Sequence, residues 1–120
     1  MRYSDEDSLP TFKEYASLIQ SIFGNLNIEV YIEPGRLLVA NSGLLVTRVI
    51  DVKTTSQKTF VIVDAAMNDF IRPTLYNSYH EILPVKNNLG TSNKLYDIVG
   101  PICETGDYFA KNRSMNSVQV

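Results

Sequence analysis

The chain has 120 residues, of which 44% are hydrophobic and 20% charged, as expected for one globular domain or part of one. Its formal net charge is −2 with both signs interspersed, so no basic run predicts a nucleic-acid partner. No apolar stretch approaches the roughly 20 residues that span a bilayer, and the polar segment Met1 to Pro10 does not resemble a secretory signal. Cys103 is the single cysteine, which excludes an intramolecular disulfide and favours a reducing, cytoplasmic compartment.

The first predicted element is an amphipathic helix from Phe12 to Phe23. Thr11 and Glu14 have the spacing of a capping box at its start, and Gly24 supplies a C-terminal stop. The apolar residues that recur at helical spacing are Tyr15, Leu18, Ile19, Ile22 and Phe23.

A short α/β pattern follows this helix. The β-branched run Ile28 to Ile32 predicts a buried strand, which the turn Glu33 to Arg36 ends. Leu37 to Asn41 predicts a brief helix closed by Gly43. Helix, strand, loop and helix in this order are typical of an α/β unit with a parallel strand.

The pattern becomes β-rich after Gly43. The predicted strands are Leu44 to Val52, Thr59 to Asp64, Ile82 to Val85 and Leu95 to Val99, and the first two predict a hairpin. The loop Lys86 to Lys94 is predicted to be mobile. The sequence therefore predicts an α/β region over residues 1–43, an antiparallel β-domain over 44–113 and a patternless tail over 114–120.

Two segments contain residues suited to binding anions. Glu33-Pro34-Gly35-Arg36 could seat a phosphate, because Gly35 lets backbone N–H groups approach an anion and Arg36 adds a fork of donors. Taken alone, a plain strand-to-helix turn with an exposed arginine is the better interpretation. In the second segment, Arg72 and Tyr76 could grip a carboxylate if Pro73 opens a helical turn. A surface loop explains those residues equally well.

Cys103 lies beside Glu104 in a predicted turn. With no second thiol and His80 as the single histidine, no metal site is predicted. A thiol can act as an acid near neutral pH, although a buried, inert cysteine is the commoner case. His80 is interpreted as a structural residue bonded near the strand that follows it.

Together these segments resemble the diaminopimelate decarboxylases, a family of fold-type-III pyridoxal-phosphate enzymes. The similar stretches are EPGR at Glu33 to Arg36, FVIVDAAMNDFIRPTLY at Phe60 to Tyr76, YHEI at Tyr79 to Ile82 and VGPICETGD at Val99 to Asp107. The combination of CETGD with IRPTLY is specific to this branch, and the resemblance covers about Tyr3 to Arg113. It implies a TIM-type barrel followed by a barrel-like antiparallel β-domain. Because a whole barrel needs about 250 residues, this chain is expected to hold only the last strand–helix unit and most of the β-domain.

The resemblance also implies roles for single residues. It places Glu33, Pro34, Gly35 and Arg36 around the phosphate of pyridoxal 5'-phosphate, and it places Arg36, Arg72, Tyr76 and Glu104 on the substrate, meso-diaminopimelate. Cys103 matches the proton donor. In the family, a homodimer, Cys103 and Glu104 reach into the neighbouring subunit's active site.

Several departures from the family accompany this resemblance. The Schiff-base lysine, the glycine-rich phosphate loop and a tyrosine near the family's C-terminus have no counterpart. Ala66 replaces a usual glycine and would be strained at positive φ, and Thr105 replaces a usual serine. We therefore expect a truncated or split enzyme for decarboxylation of meso-diaminopimelate to L-lysine, inactive alone, with the barrel on a second chain. The alternatives are a non-catalytic fragment that pairs with a full-length subunit, and a decayed gene product.

Overall fold

The computed structural model describes residues 8–86 and 92–120. Predictions for residues 1–7, and for residues 87–91 of the Lys86 to Lys94 loop, lie outside this range. The chain divides into two compact units, Met1–Leu44 and Leu45–Val120. None of the helices in the described part is long and apolar enough to cross a membrane.

The helix predicted in the first unit is confirmed as α1, Phe12–Phe23. Its capping box is complete: the Thr11 N–H donates to Glu14 Oε2 at 2.7 Å, and the Glu14 N–H donates to Thr11 Oγ1 at 3.2 Å. These bonds satisfy donors that the first helical turn otherwise leaves open. The Glu14 carboxylate also accepts a hydrogen bond from the Thr11 hydroxyl at 2.8 Å. The bonds from the Thr11 N–H and, less strongly, from the Thr11 hydroxyl lower the pKa of Glu14.

The other two elements predicted for this unit are wrong. Ile28 to Ile32 forms no strand, because no segment among the described residues pairs with it and a parallel strand needs neighbours on its edges. Leu37 to Asn41 is not a helix either. A 3₁₀ helix, Gly35–Leu37, is followed by turns in which Ala40 donates to the Arg36 carbonyl at 3.0 Å.

The second unit is built on one four-stranded sheet. Its strands are β1 (Val49–Thr54), β2 (Thr59–Val63), β3 (Asn93–Val99) and β4 (Tyr108–Asn116), in the order β1-β2-β3-β4. A short helix, α2 (Arg72–Tyr76), lies in the connection between β2 and β3. The outer pairs are antiparallel, whereas β2 and β3 are parallel.

The hairpin is confirmed, although β1 begins at Val49 rather than Leu44 and has an irregularity before Asp51. The strand predicted from Leu95 to Val99 lies within β3. The expected antiparallel β-domain is found in part, since two of the three strand pairs are antiparallel. The pair β2 and β3 is parallel because the long connection through α2 returns the chain to the end of the sheet at which β2 begins. The described strands form an open mixed sheet and not a closed barrel.

Two further predictions for the second unit are corrected. Ile82 to Val85 is irregular rather than a strand. The tail predicted from Ser114 instead contributes its first residues to β4, a strand that the sequence patterns missed.

The core of the second unit is built mainly from residues of β2, β3 and β4. Alternate residues of β2 and β3 point into it, as the two-residue period of a strand requires. Its buried members are Val61, Val63, Ala65, Tyr96, Ile98, Phe109 and Ala110. The Tyr96 hydroxyl also accepts a hydrogen bond from the Val118 N–H at 3.3 Å, which holds the C-terminal segment near the sheet.

Candidate active site

The turn between β3 and β4 is organised by a buried carboxylate. Asp107 is 3% exposed. Its Oδ1 accepts a hydrogen bond from the Met67 N–H and its Oδ2 accepts one from the Ile102 N–H, each at 2.7 Å. The Asp107 N–H in turn donates to the Glu104 carbonyl at 3.0 Å. One side chain therefore shapes the turn and fastens it to the segment that follows β2.

A glycine makes room for this carboxylate. A Cβ added to Gly100 would lie 2.4 Å from Asp107 Oδ2, closer than non-bonded atoms can approach. The Gly100 N–H also donates to the Asp107 carbonyl at 3.1 Å. The two ends of the turn are thus held together both by this backbone hydrogen bond and by the side chain of Asp107.

The residues at the tip of this turn face solvent. Cys103 is a free, exposed thiol, so the interpretation of a buried cysteine is wrong. Glu104 is also exposed, and its Oε1 accepts a weak hydrogen bond from the Gly106 N–H at 3.3 Å. Glu104 and Thr105 border a shallow depression of about 310 Å³. A thiol and a carboxylate are thus presented side by side on an open surface.

The helical turn predicted at Pro73 is confirmed as α2. Pro73 is fully buried in its first turn and anchors it. The Arg72 guanidinium carbon lies 5.3 Å from the centre of the Tyr76 ring, so these two side chains meet on one side of the helix. Asn77, with φ 48, ends α2 in the left-handed conformation.

Helix α2 is fastened directly to the turn that carries Cys103. The Thr74 hydroxyl donates to the Gly106 carbonyl and lies 3.4 Å from the Tyr108 carbonyl oxygen. The packing is close, since a Cβ added to Gly106 would lie 2.9 Å from Thr74 Cγ2. The structure therefore brings together the two segments, IRPTLY and CETGD, that the sequence singled out separately.

Other side chains support the residues that follow α2. The Arg113 guanidinium donates to the His80 carbonyl at 2.9 Å and stacks over the Tyr79 ring at 4.1 Å. The His80 ring lies against Phe70, with its Nε2 3.1 Å from Ser78 Oγ. These contacts agree with a structural role for His80, although the strand expected after it is absent. Three residues hold these segments in place through contacts with residues distant in the sequence: Asp107, Thr74 and Arg113. No local sequence pattern indicated this role.

The EPGR turn lies in the first unit, and its chemistry fits a phosphate. Pro34 is in the right-handed helical region and Gly35 follows with φ 57. Pro34 has no N–H, so the backbone donors that this turn can offer an anion begin at Gly35. A Cβ on Gly35 would meet nothing within 4 Å, so the glycine is required by its backbone conformation rather than by crowding. Arg36 supplies a guanidinium next to this turn, and Glu33 precedes it; both side chains are exposed.

The strain considered for Ala66 is not found. Among the described non-glycine residues, positive φ occurs at Asn77 and Asn112 and not at Ala66. Ala66 is instead buried in a turn, where its N–H donates to Asp69 Oδ2 at 2.8 Å. Alanine is therefore compatible with this position.

Residues 4–120 match the family described as pyridoxal-dependent decarboxylase, C-terminal sheet domain. The chain belongs to this family of carboxy-lyases. Within it, the chain is similar to the C-terminal part of proteins named diaminopimelate decarboxylase. The relative from Aquifex aeolicus is 43% identical over 119 residues and that from Zymomonas mobilis 46% identical over 120, each match covering 99% of this chain.

Solved structures give the same result. A crystal structure from Aquifex aeolicus matches 99% of the chain with a TM-score of 0.91 and 43% identity. Diaminopimelate decarboxylase from Helicobacter pylori, complexed with L-lysine, matches 98% with a TM-score of 0.84 and 38% identity. The match covers 29% and 28% of those two chains, and the chain spans 28% of the length of the two curated relatives.

Proposed function

We propose that this chain carries part of the active site of a pyridoxal-phosphate-dependent decarboxylase that converts meso-diaminopimelate to L-lysine. The observation that carries the proposal is the fastening of α2 to the turn that holds Cys103 and Glu104, through Thr74 and Asp107. These contacts join α2, whose side chains suit an amino-acid substrate, to a turn whose thiol suits proton transfer. A similar protein of known structure is the diaminopimelate decarboxylase from Helicobacter pylori, which was crystallised with L-lysine.

The substrate explains the residue types. Diaminopimelate has two amino-acid ends, and the end that does not react must be recognised by its carboxylate and its ammonium group. Arg72 and Tyr76, which meet on one side of α2, supply a guanidinium and a hydroxyl for that carboxylate. Glu104 supplies a negative charge for the ammonium group.

Glu33, Pro34, Gly35 and Arg36 would hold the cofactor through its phosphate, with Arg36 also reaching the substrate. When bound, pyridoxal phosphate supplies an electron sink for the pair left on carbon when carbon dioxide departs. Cys103 then returns a proton from its thiol to that carbon. A free thiol is needed for this step, which agrees with a reducing, cytoplasmic compartment.

The exposure of Cys103 and Glu104 supports a site completed by another polypeptide. We propose that they reach into the active site of the second subunit of a homodimer. The lysine that anchors the cofactor is proposed to come from a barrel, carried on a further part of the protein or on a second chain. None of the lysines in this chain is assigned that role.

Complementation tests this proposal. The 120-residue chain alone is expected to leave the absorbance of added pyridoxal phosphate unchanged and to release no carbon dioxide from diaminopimelate. With the barrel supplied as a second chain, activity should appear. Cys103→Ala should then lower kcat by about 10²-fold or more, as for loss of a general acid. Arg72→Ala should lower kcat/KM by about 10-fold or more through loss of a charged hydrogen bond.

A matched control is Lys53→Ala, which removes an exposed charge from the hairpin and should leave the rate unchanged. Decarboxylation by the isolated chain would contradict the need for a barrel. Full activity of both the Cys103 and Arg72 variants would contradict the site assignment.

A second candidate is a non-catalytic chain that pairs with a full-length decarboxylase subunit and lends it Cys103 and Glu104. The exposure of both residues favours it. In that case, mixing the chain with a full-length subunit whose own proton-donating cysteine is replaced should restore activity. Failure to restore it, when the barrel alone does, would leave the split enzyme as the function.

A further inference from the structure

Two acidic side chains are buried among the described residues, Asp97 and Asp107, and they are held differently. Asp97 pairs with the Lys58 ammonium at 2.5 Å and accepts the Asn112 N–H at 2.7 Å. Asp107 instead receives a backbone N–H on each of its oxygens. Hydrogen bonds to an ionised carboxylate are about twice as strong as neutral ones, so Asp107 is a firm link between the segments that donate to it.

The two donors of Asp107 lie beside the two halves of the candidate site. Ile102 directly precedes Cys103 and Glu104 in the turn. Met67 lies in the segment that leads into α2, where Arg72 and Tyr76 are found. A single carboxylate thus links the segment that leads to Arg72 and Tyr76 with the turn that carries Cys103 and Glu104, the two residues proposed to reach into the second subunit's active site.

We propose that Asp107 is a positioning residue for decarboxylation: by fastening the turn to the segment at Met67, its carboxylate sets where Cys103 and Glu104 are presented to the active site of the second subunit. The inference rests on the proposed function of this site. Asp107 touches neither substrate nor reacting atoms, and it acts through the two N–H groups that it holds. A displacement of about 1 Å in a reacting group can cost about 10²-fold in rate, so a loosened turn would slow proton return.

Asp107→Asn is the informative substitution because it preserves the shape of the side chain. An amide has one acceptor oxygen, and its nitrogen is a donor. One of the two N–H groups, on Met67 or Ile102, would then face a donor instead of an acceptor. Asp97→Asn is the matched control, since it alters an equally buried aspartate whose partners, Lys58 and Asn112, lie outside the turn.

Hydrogen exchange on the 120-residue chain tests the link without reference to activity. In the wild type, the N–H groups of Met67 and Ile102 should exchange slowly and at similar rates, because they donate to the two oxygens of one carboxylate. Asp107→Asn should accelerate both by tenfold or more. Asp97→Asn should accelerate exchange at Asn112 and leave the other two unchanged. Exchange of wild-type Met67 and Ile102 at the rates of an unstructured chain would overturn the inference, even if the Asp107 variant fails to fold.

Kinetics in the complemented enzyme test the consequence. Per folded molecule, Asp107→Asn should lower kcat about 10²-fold and raise KM for diaminopimelate, whereas Asp97→Asn should stay within twofold for both. A purely structural role would make the two variants lose activity only in proportion to their folded fractions, and this outcome would overturn the inference. An active wild type with an unimpaired Asp107 variant would overturn it as well, leaving the proposed function intact. An inactive wild type that shows the expected exchange pattern would overturn the proposed function, and the positioning role with it.

Discussion

At the scale of single residues, Asp97 shows how the fold keeps a buried carboxylate charged. Burial opposes its ionisation and is the largest single influence on its pKa. Hydrogen bonds from Lys58 and from the Asn112 N–H, together with the charges of Lys58 and Lys111, outweigh burial and lower the pKa below its ordinary value of 3.8. The bond to Asn112 also fixes the irregularity in β4, where Asn112 has φ 50.

This lowered pKa predicts a loss of stability in acid. Because the folded pKa of Asp97 lies below its unfolded value, the carboxylate stabilises the fold above pH 3.8, and this contribution disappears as the pH falls through the folded pKa. Asp64 acts in the same direction, because the Arg48 N–H and the Thr47 hydroxyl lower its pKa. Urea unfolding at a series of pH values should show a steeper acid loss for the wild type than for Asp97→Asn. Parallel pH profiles would contradict this role of Asp97.

At the scale of elements, the hydroxyl of Thr74 is a separable part of the link between α2 and the turn. Thr74→Val keeps the shape of the side chain but leaves the Gly106 carbonyl without this donor. We expect the free energy of unfolding to fall by about 1–2 kcal/mol. Urea denaturation of the full chain measures this change.

The matched control for this prediction is Thr54→Val on the hairpin, where the hydroxyl has only a long contact of 3.5 Å to the Thr59 hydroxyl. This change should alter stability by less than about 0.5 kcal/mol. Equal effects of the two substitutions would show that the bond between Thr74 and Gly106 contributes nothing specific.

The elements that local sequence predicted correctly are those whose determinants lie within a few residues. The capping box of α1, the polar loop of the hairpin and Pro73 in α2 are all of this kind. Strand β4 escaped prediction because the bulge at Asn112 interrupts its two-residue alternation and pairing with β3 defines it. The run Ile28 to Ile32 has strand composition, but pairing decides whether a strand forms.

The candidate site could likewise be predicted from the sequence only in part. The sequence motifs CETGD and IRPTLY were enough to select Cys103, Glu104, Arg72 and Tyr76 as candidates. It could not show that these residues lie on elements joined to each other, because Asp107 makes its contact with Met67 across 40 positions of the chain. The contacts that join these elements are properties of the fold, so a local sequence motif cannot predict them.

At the scale of the whole molecule, the two units differ in how much of themselves they bury. The unit Leu45–Val120 has a buried core on its sheet. In residues 8–44 no side chain is buried, and the apolar face of α1 is open, with Tyr15 47%, Leu18 55% and Ile22 56% exposed. Helices of this length draw most of their stability from packing. The apolar face of α1 is therefore a surface that would be stabilised by packing against another apolar surface.

We therefore predict that the 120-residue chain associates into oligomers or aggregates, because contiguous exposed apolar surface drives association. Replacing Leu18 and Ile22 by lysine should shift sedimentation profiles towards the monomer. The matched control places the same charges on the polar face, as Ser17→Lys with Gln20→Lys, and should leave association unchanged. If the wild type sediments as a single monomeric species and unfolds in one cooperative calorimetric transition, the open face of α1 does not drive assembly and the prediction is wrong.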